Sequence, residues 1–308
     1  MTVRDIIIKY SEELKEISDT PRLDVEIILQ KLLGNVDRIY IHINLTKELT
    51  KDQYELFLDM IKERLSGRPI AYIVGNREFM GLDFFVKEGV LIPRPDTEPL
   101  VEEVIELCKE KGHLDILDIG TGSGAITVSL AKYIEKSKLT SFDISDIPLE
   151  VGKKNAINNE VDDKITFMKS DLFSAIENKG IEFDVIVSNP PYIPKRDIET
   201  LHTQVKDYEP YNALEGGIDG LDFYRAITEQ SEMYLKSGGI LAYEVGHDQA
   251  KDVTQIMSDN GYTKIYTKKD IQGIDRVVIG FKLWYNEKLI CYIKRGEKYA
   301  KEIRSIRE

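Results

Sequence analysis

The chain is 308 residues long and holds only two cysteines, Cys108 and Cys291, far apart and in no Cys-x-x-Cys pattern. That excludes a disulfide framework and a zinc knuckle. Its four histidines, His42, His113, His202 and His247, stand at no ligand spacing from one another, and no nucleophile–base arrangement is visible, so no metal is expected. No apolar run approaches the length of a membrane span, and Met1-Thr2-Val3-Arg4-Asp5 is too charged for a signal peptide, so a cytoplasmic protein without membrane partners is expected. Positive charge is in deficit: 42 Lys and Arg against 54 Asp and Glu give a net charge of -12. A protein that lives on nucleic-acid phosphates is disfavoured, and a monomer with no stable nucleic-acid partner is expected. Internal repeats and low-complexity stretches are absent as well, and 42% hydrophobic residues suffice for a sizeable core.

What is there centres on Asn189-Pro190-Pro191-Tyr192, directly after the β-branched run Phe183–Ser188. The run reads as a buried parallel strand. Two prolines cannot continue a sheet ladder, and a residue before proline is held extended, so the chain leaves the sheet at Asn189 as a stiff corner. Such a corner at the carboxyl end of a strand offers an amide oxygen, proline carbonyls and an aromatic face. It suits a planar NH2 group: Asn189 Oδ1 and the Pro190 carbonyl accept its two hydrogens, and Tyr192 walls one face.

Three segments precede the sheet. Residues 1–75 read as a helical bundle, with Thr20-Pro21 as an N-cap and N1 pair and Thr50-Lys51-Asp52-Gln53 as a capping box. Residues 76–95 read as a β-hairpin linker in which Phe79–Val86 and Val90–Ile92 flank a turn at Lys87-Glu88-Gly89. Then Arg94-Pro95-Asp96-Thr97-Glu98 is either a linker with Asp96 or Thr97 capping the next helix, or a rigid flap bringing Arg94, Thr97 and Glu98 to a cofactor. From 96 to 281 strands and helices alternate, which predicts a mostly parallel seven-stranded sheet, covered by helices on both faces and ending in an antiparallel pair. The remainder, 282–308, is a C-terminal extension. From Phe281 on it carries eight Lys and Arg against four Glu, as a solvated terminal helix or a partner-binding tail would.

Between the first strand (114–119) and its helix lies Asp118-Ile119-Gly120-Thr121-Gly122-Ser123-Gly124. The glycines permit a tight turn and close backbone approach to a ligand. Gly120-x-Gly122-x-x-Ala125 also satisfies the dinucleotide fingerprint, and Asp143, ending the second strand, fits a ribose-binding acid in either case. Two features favour S-adenosyl-L-methionine. Asp118 puts a carboxylate beside the turn, suited to a cationic ligand, and Asp171-Leu172-Phe173 after the third strand can pin and cover an adenine.

These motifs resemble the release factor glutamine N5-methyltransferases (PrmC, also called HemK), a class I methyltransferase family. The resemblance spans about 20–280. It rests on Arg68–Gly75, Leu91–Glu98, Asp118–Gly124, Ser188–Pro194, Tyr208-Glu209-Pro210, Ala213-Leu214, Gly216-Gly217, Asp219–Leu221, Glu244–Gly246 with Gln249, and Asp275–Val278. The family usually has Glu where this chain has Asp96. The resemblance implies a Rossmann-like methyltransferase fold. It implies S-adenosyl-L-methionine held by Gly120–Gly124, Asp143, Leu172 and Asn189, and S-adenosyl-L-homocysteine as product. It implies a substrate glutamine in the Gly-Gly-Gln loop of peptide chain release factors, bound by Asn189–Tyr192, with the helical N-terminal domain docking the factor. Rival expectations are a ribosomal-protein glutamine methyltransferase, an adenine-N6 nucleic-acid methyltransferase, a silent binding module and a nicotinamide-linked oxidoreductase.

Overall fold

A computed structural model describes residues 1–283; the extension from 284, with the expectations placed on it, lies outside the described residues. The N-terminal bundle comprises α1 (Val3–Glu13), α2 (Pro21–Leu32), α3 (Arg38–Ile43), α4 (Lys51–Leu65) and α5 (Ile70–Val74). Thr50 forms the capping box with Gln53 at the start of α4. Thr20 precedes α2 with Pro21 at its first position, yet its side chain makes no capping bond. The apolar faces close on a core of Ile6, Ile28, Leu29, Ile41 and Phe57.

The hairpin linker is present, but its turn is not where the sequence places it. Strands β1 (Asn76–Phe79) and β2 (Leu82–Phe85) pair antiparallel across Met80-Gly81. Both turn residues have positive φ, +53° and +69°, as a two-residue hairpin of the right twist demands. Met is a poor sequence signal for that backbone, and tertiary contacts supply the support: the Tyr133 hydroxyl donates to the Met80 carbonyl at 2.6 Å, and Glu98 accepts from the Met80 N–H at 2.9 Å. Residues 90–92 form no strand. Val90 and Ile92 instead pack with Ala71, Tyr72 and Val151, joining the bundle to the larger domain.

That domain holds α6 (Glu98–Cys108), β3 (Leu114–Ile119), α7 (Ala125–Tyr133), β4 (Ser137–Asp143), α8 (Asp146–Asn158), β5 (Ile165–Lys169) and β6 (Phe183–Ser188). There follow α9 (Thr203–Lys206), α10 (Asp222–Tyr234), β7 (Leu235–Glu244), α11 (Ala250–Asp259), β8 (Tyr262–Lys269) and β9 (Asp275–Lys282). The sheet order is β5-β4-β3-β6-β7-β9-β8. Pairs from β5 through β7 are parallel, and β9 runs antiparallel between β7 and β8. Successive strand residues alternate between two cores. Ile116, Val185 and Val187 face α6 and α7 with Val101, Val104 and Val128, while Leu117, Ile186 and Leu241 face α10 and α11 with Tyr224, Ile227 and Val253. The order of strands reverses between β3 and β6, and a crevice opens beyond the carboxyl ends of those two strands. Among the described residues no helix is long and apolar enough to cross a membrane.

Candidate active site

A cavity of about 310 Å³ fills that crevice. This is at the lower end of the roughly 300–1,000 Å³ common for small-molecule sites. Its floor is built from strand ends: Gly120 and Gly122 after β3, Asp143 at the end of β4, Asp171 and Leu172 after β5, and Asn189-Pro190-Pro191 after β6. Other walls include Gly89–Leu91 from the linker, Pro210, Asn212 and Ala213 from the long connection between β6 and α10, and Phe223 and Ile227 on α10. Sequence reasoning gave no site role to this second group. The signal for part of it was the length of the connection 189–221, since long ordered loops in compact domains tend to be functional.

The glycine turn is held from behind. Gly120 and Gly122 have φ of +93° and +54°; a Cβ on Gly122 would meet nothing within 4 Å, and one on Gly120 only the Asn189 carbonyl at 3.9 Å. Thr121, Ser123 and Gly124 face away from the cavity wall. The Thr121 and Ser141 hydroxyls bond at 2.8 Å, the Ser123 carbonyl accepts from Asn155 Nδ2 at 2.8 Å, and a Cβ on Gly124 would lie 3.0 Å from Gly152 Cα. Asp118 is likewise off the wall. Its carboxyl is fully buried and accepts from Thr127 Oγ1 at 2.5 Å and Ser141 Oγ at 3.2 Å, while Oδ1 has no partner among the described residues. Burial, with the neighbouring Asp143 charge adding to it, pushes this carboxyl up to about 7.

Asp143 is half-buried. Its Oδ2 accepts from the Gly122 N–H at 3.2 Å and its Oδ1 from the Ser145 N–H at 2.9 Å, while burial raises its pKa. The carboxylate keeps acceptor capacity beyond these bonds for a ligand hydroxyl. Leu172 takes a positive φ of +47° at the edge of the apolar side of the cavity, and Asp171 beside it is exposed.

The proline corner is clamped at its far end. Ile193 N–H donates to the Leu214 carbonyl at 2.9 Å, Gly216 N–H to the Ile193 carbonyl at 2.9 Å, and Gln249 Nε2 to the Tyr192 carbonyl at 2.9 Å. Among the described residues no donor reaches Asn189 Oδ1 or the Pro190 carbonyl. Tyr192 is half-buried against the core beside α10 and is not on the cavity wall; burial raises its phenol pKa. The flap splits its partners. Arg94 forms an ion pair with buried Glu209, Asp96 with Arg276 at 2.9 Å, and Thr97 Oγ1 accepts from Asn189 Nδ2 at 3.3 Å. Neither Asp96 nor Thr97 caps α6 through its side chain, because both are committed to these contacts.

Comparison with known proteins identifies the family of the chain. Residues 5–75 match the PrmC N-terminal domain and 97–206 the methyltransferase small domain. A release factor glutamine methyltransferase from Clostridium acetobutylicum is 42% identical over 92% of this chain and 99% of its own length. The chain belongs to the release factor glutamine methyltransferases. Another member, from Clostridium botulinum, is 40% identical over 90% of this chain and 98% of its own. The solved release factor-specific protein-(glutamine-N5) methyltransferase from Alicyclobacillus acidocaldarius is 31% identical, covering 65% of this chain and 99% of its own, at a TM-score of 0.42.

Proposed function

We propose that this protein methylates the side-chain amide nitrogen of the glutamine in the Gly-Gly-Gln loop of peptide chain release factors. The observation that carries the proposal is the stiff corner at Asn189–Pro191, which presents two carbonyl-type oxygens without donors at the wall of a cavity floored by Gly120, Gly122 and Asp143. S-adenosyl-L-methionine, when bound, supplies an electrophilic methyl carbon and leaves as S-adenosyl-L-homocysteine. The residues present fit it: the open faces of Gly120 and Gly122 leave space for backbone approach, Asp143 has lone pairs for ribose hydroxyls, and Asp171 and Leu172 offer a polar edge and an apolar face for adenine.

An amide nitrogen is a weak nucleophile because its lone pair is delocalised into the carbonyl. Asn189 Oδ1 and the Pro190 carbonyl accept its two hydrogens, which raises electron density on nitrogen and fixes its direction. Pro191 stiffens the corner, and Tyr192, packed against the core beside α10, backs it from behind the cavity. Preorganised acceptors need no rearrangement during reaction, and well-oriented reactants account for roughly 7–11 kcal/mol of barrier lowering. The N-terminal bundle docks the release factor. Such an enzyme works as a cytoplasmic monomer, with no metal, stable nucleic acid or membrane.

The test incubates the protein with methyl-labelled S-adenosyl-L-methionine and, separately, purified release factor, ribosomal protein or DNA. Label is expected on release factor and lost when its loop glutamine is replaced. Label on ribosomal protein or DNA instead would overturn the proposal.

A further inference from the structure

Asn189 can serve as an acceptor only if its amide faces the right way, since the opposite orientation would present an NH2 to an NH2. In the structure Asn189 Nδ2 points to Thr97 Oγ1 at 3.3 Å. Thr97 is 5% exposed, and Glu244, at the end of β7, is 2% exposed. The neighbourhood follows from the sheet: Ser188 pairs with Tyr243, so the residues after them, Asn189 and Glu244, leave adjacent strands side by side. Glu244 is further anchored through its backbone carbonyl, which accepts from the Tyr224 hydroxyl at 2.9 Å, while its Oε2 has no hydrogen-bond partner among the described residues.

We propose that Glu244 and Thr97 are positioning residues that set the amide orientation of Asn189, and hence which of its atoms faces the acceptor nitrogen. The inference rests on the methyltransferase reading given above. A threonine hydroxyl has one hydrogen and two lone pairs. The buried Glu244 carboxyl, beside both Thr97 and Asn189, would take that hydrogen and leave Thr97 Oγ1 to accept from Asn189 Nδ2. Asn189 must then turn its NH2, and not its oxygen, toward Thr97. Hydrogen bonding from Thr97 and from Asn189 opposes the burial that pushes Glu244 up to about 7. In either protonation state Glu244 retains an oxygen able to accept the Thr97 proton. The flap that carries Thr97 is itself fastened to the same strand ends by the Asp96–Arg276 ion pair at 2.9 Å.

Thr97→Val removes the hydroxyl at nearly constant volume, and Thr97→Ser restores it. Thr97→Val is expected to lower kcat on release factor about 10–100-fold, as misplacement of a reacting group by about 1 Å does, with KM little changed. Thr97→Ser should recover activity to within about threefold of the wild type, and Glu244→Leu should behave like Thr97→Val. The second measurement needs no substrate. The Asn189 side-chain amide resonances, assigned by their loss in Asn189→Ala, should be single and sharp in the wild type and Thr97→Ser. In Thr97→Val they should shift and broaden. Unchanged Asn189 resonances in Thr97→Val, or equal defects in Thr97→Ser and Thr97→Val, would overturn the inference. Failure of the wild type to label release factor would instead overturn the substrate assignment, with the resonance experiment still deciding the orientation.

Discussion

Asn155 and Phe85 are joined by two hydrogen bonds: Oδ1 accepts from the Phe85 N–H at 2.7 Å, and Nδ2 donates to the Phe85 carbonyl at 2.9 Å. The same Nδ2 also donates to the Ser123 carbonyl at 2.8 Å, and the side chain is fully buried. One amide on α8 therefore ties the linker strand to the glycine turn that floors the cavity. Asn155→Ala leaves three backbone groups without partners. The expected cost is about 2–4 kcal/mol, and the melting temperature should fall roughly 5–15 °C, as read by calorimetry. Asn155→Asp should destabilise too, because a carboxylate cannot donate to the Phe85 and Ser123 carbonyls.

Asn189→Ala removes one of the two proposed acceptors without touching the Pro190 carbonyl or the clamp beyond it. Loss of one preorganised group of this kind costs about 10²–10³ in kcat. Transfer to release factor should fall by that factor, while binding of S-adenosyl-L-methionine, measured by calorimetry, weakens but survives. Full activity in this variant would remove Asn189 from the acceptor role.

The sheet and the corner were legible because each rests on a local rule. Buried parallel strands read as apolar runs, and consecutive prolines end a strand wherever they occur. The hairpin turn was misplaced because Met80 carries no turn signal, and its positive φ is supported by Tyr133 and Glu98 from elsewhere in the chain. Asp118 was legible as a carboxylate beside the turn, but not as one enclosed by Thr127 and Ser141, since strand register decides which face it takes. The walls at Gly89–Leu91 and Pro210–Ala213 belong to irregular segments without periodicity, and only the folded chain brings them over the strand ends.

Asp118 and Glu244 are both held up to about 7 in the folded protein, chiefly by burial, against ordinary values of 3.8 and 4.5. Between the ordinary and raised values the folded state binds more protons than the unfolded state. Stability from these groups is therefore complete below about pH 4 and lost as pH rises through 7. The melting temperature of the ligand-free protein should fall between pH 5 and pH 8. Asp118→Asn, which cannot ionise, should make that slope shallower, because each displaced proton contributes about 1.36 kcal/mol per pH unit. An unchanged slope in Asp118→Asn would show that its carboxyl ionises normally.

Gly216 lies against the corner from outside. A Cβ placed on it would sit 2.6 Å from the Pro191 carbonyl oxygen and 2.7 Å from Tyr192 Cα, both backbone atoms that cannot rotate away. Gly216→Ala must therefore shift the segment that presents Asn189 and Pro190, or move the strap from Leu214 that clamps Ile193. Displacement of a reacting group by about 1 Å costs roughly 10² in rate. Transfer should fall at least about 10²-fold, while the melting temperature changes by only a few degrees, because Gly216 lies outside the strands and helices that carry the core. Ala substituted at Gly180, where a Cβ meets nothing within 4 Å but φ is +64°, is the control. It carries backbone strain remote from the corner and should leave transfer at the wild-type rate.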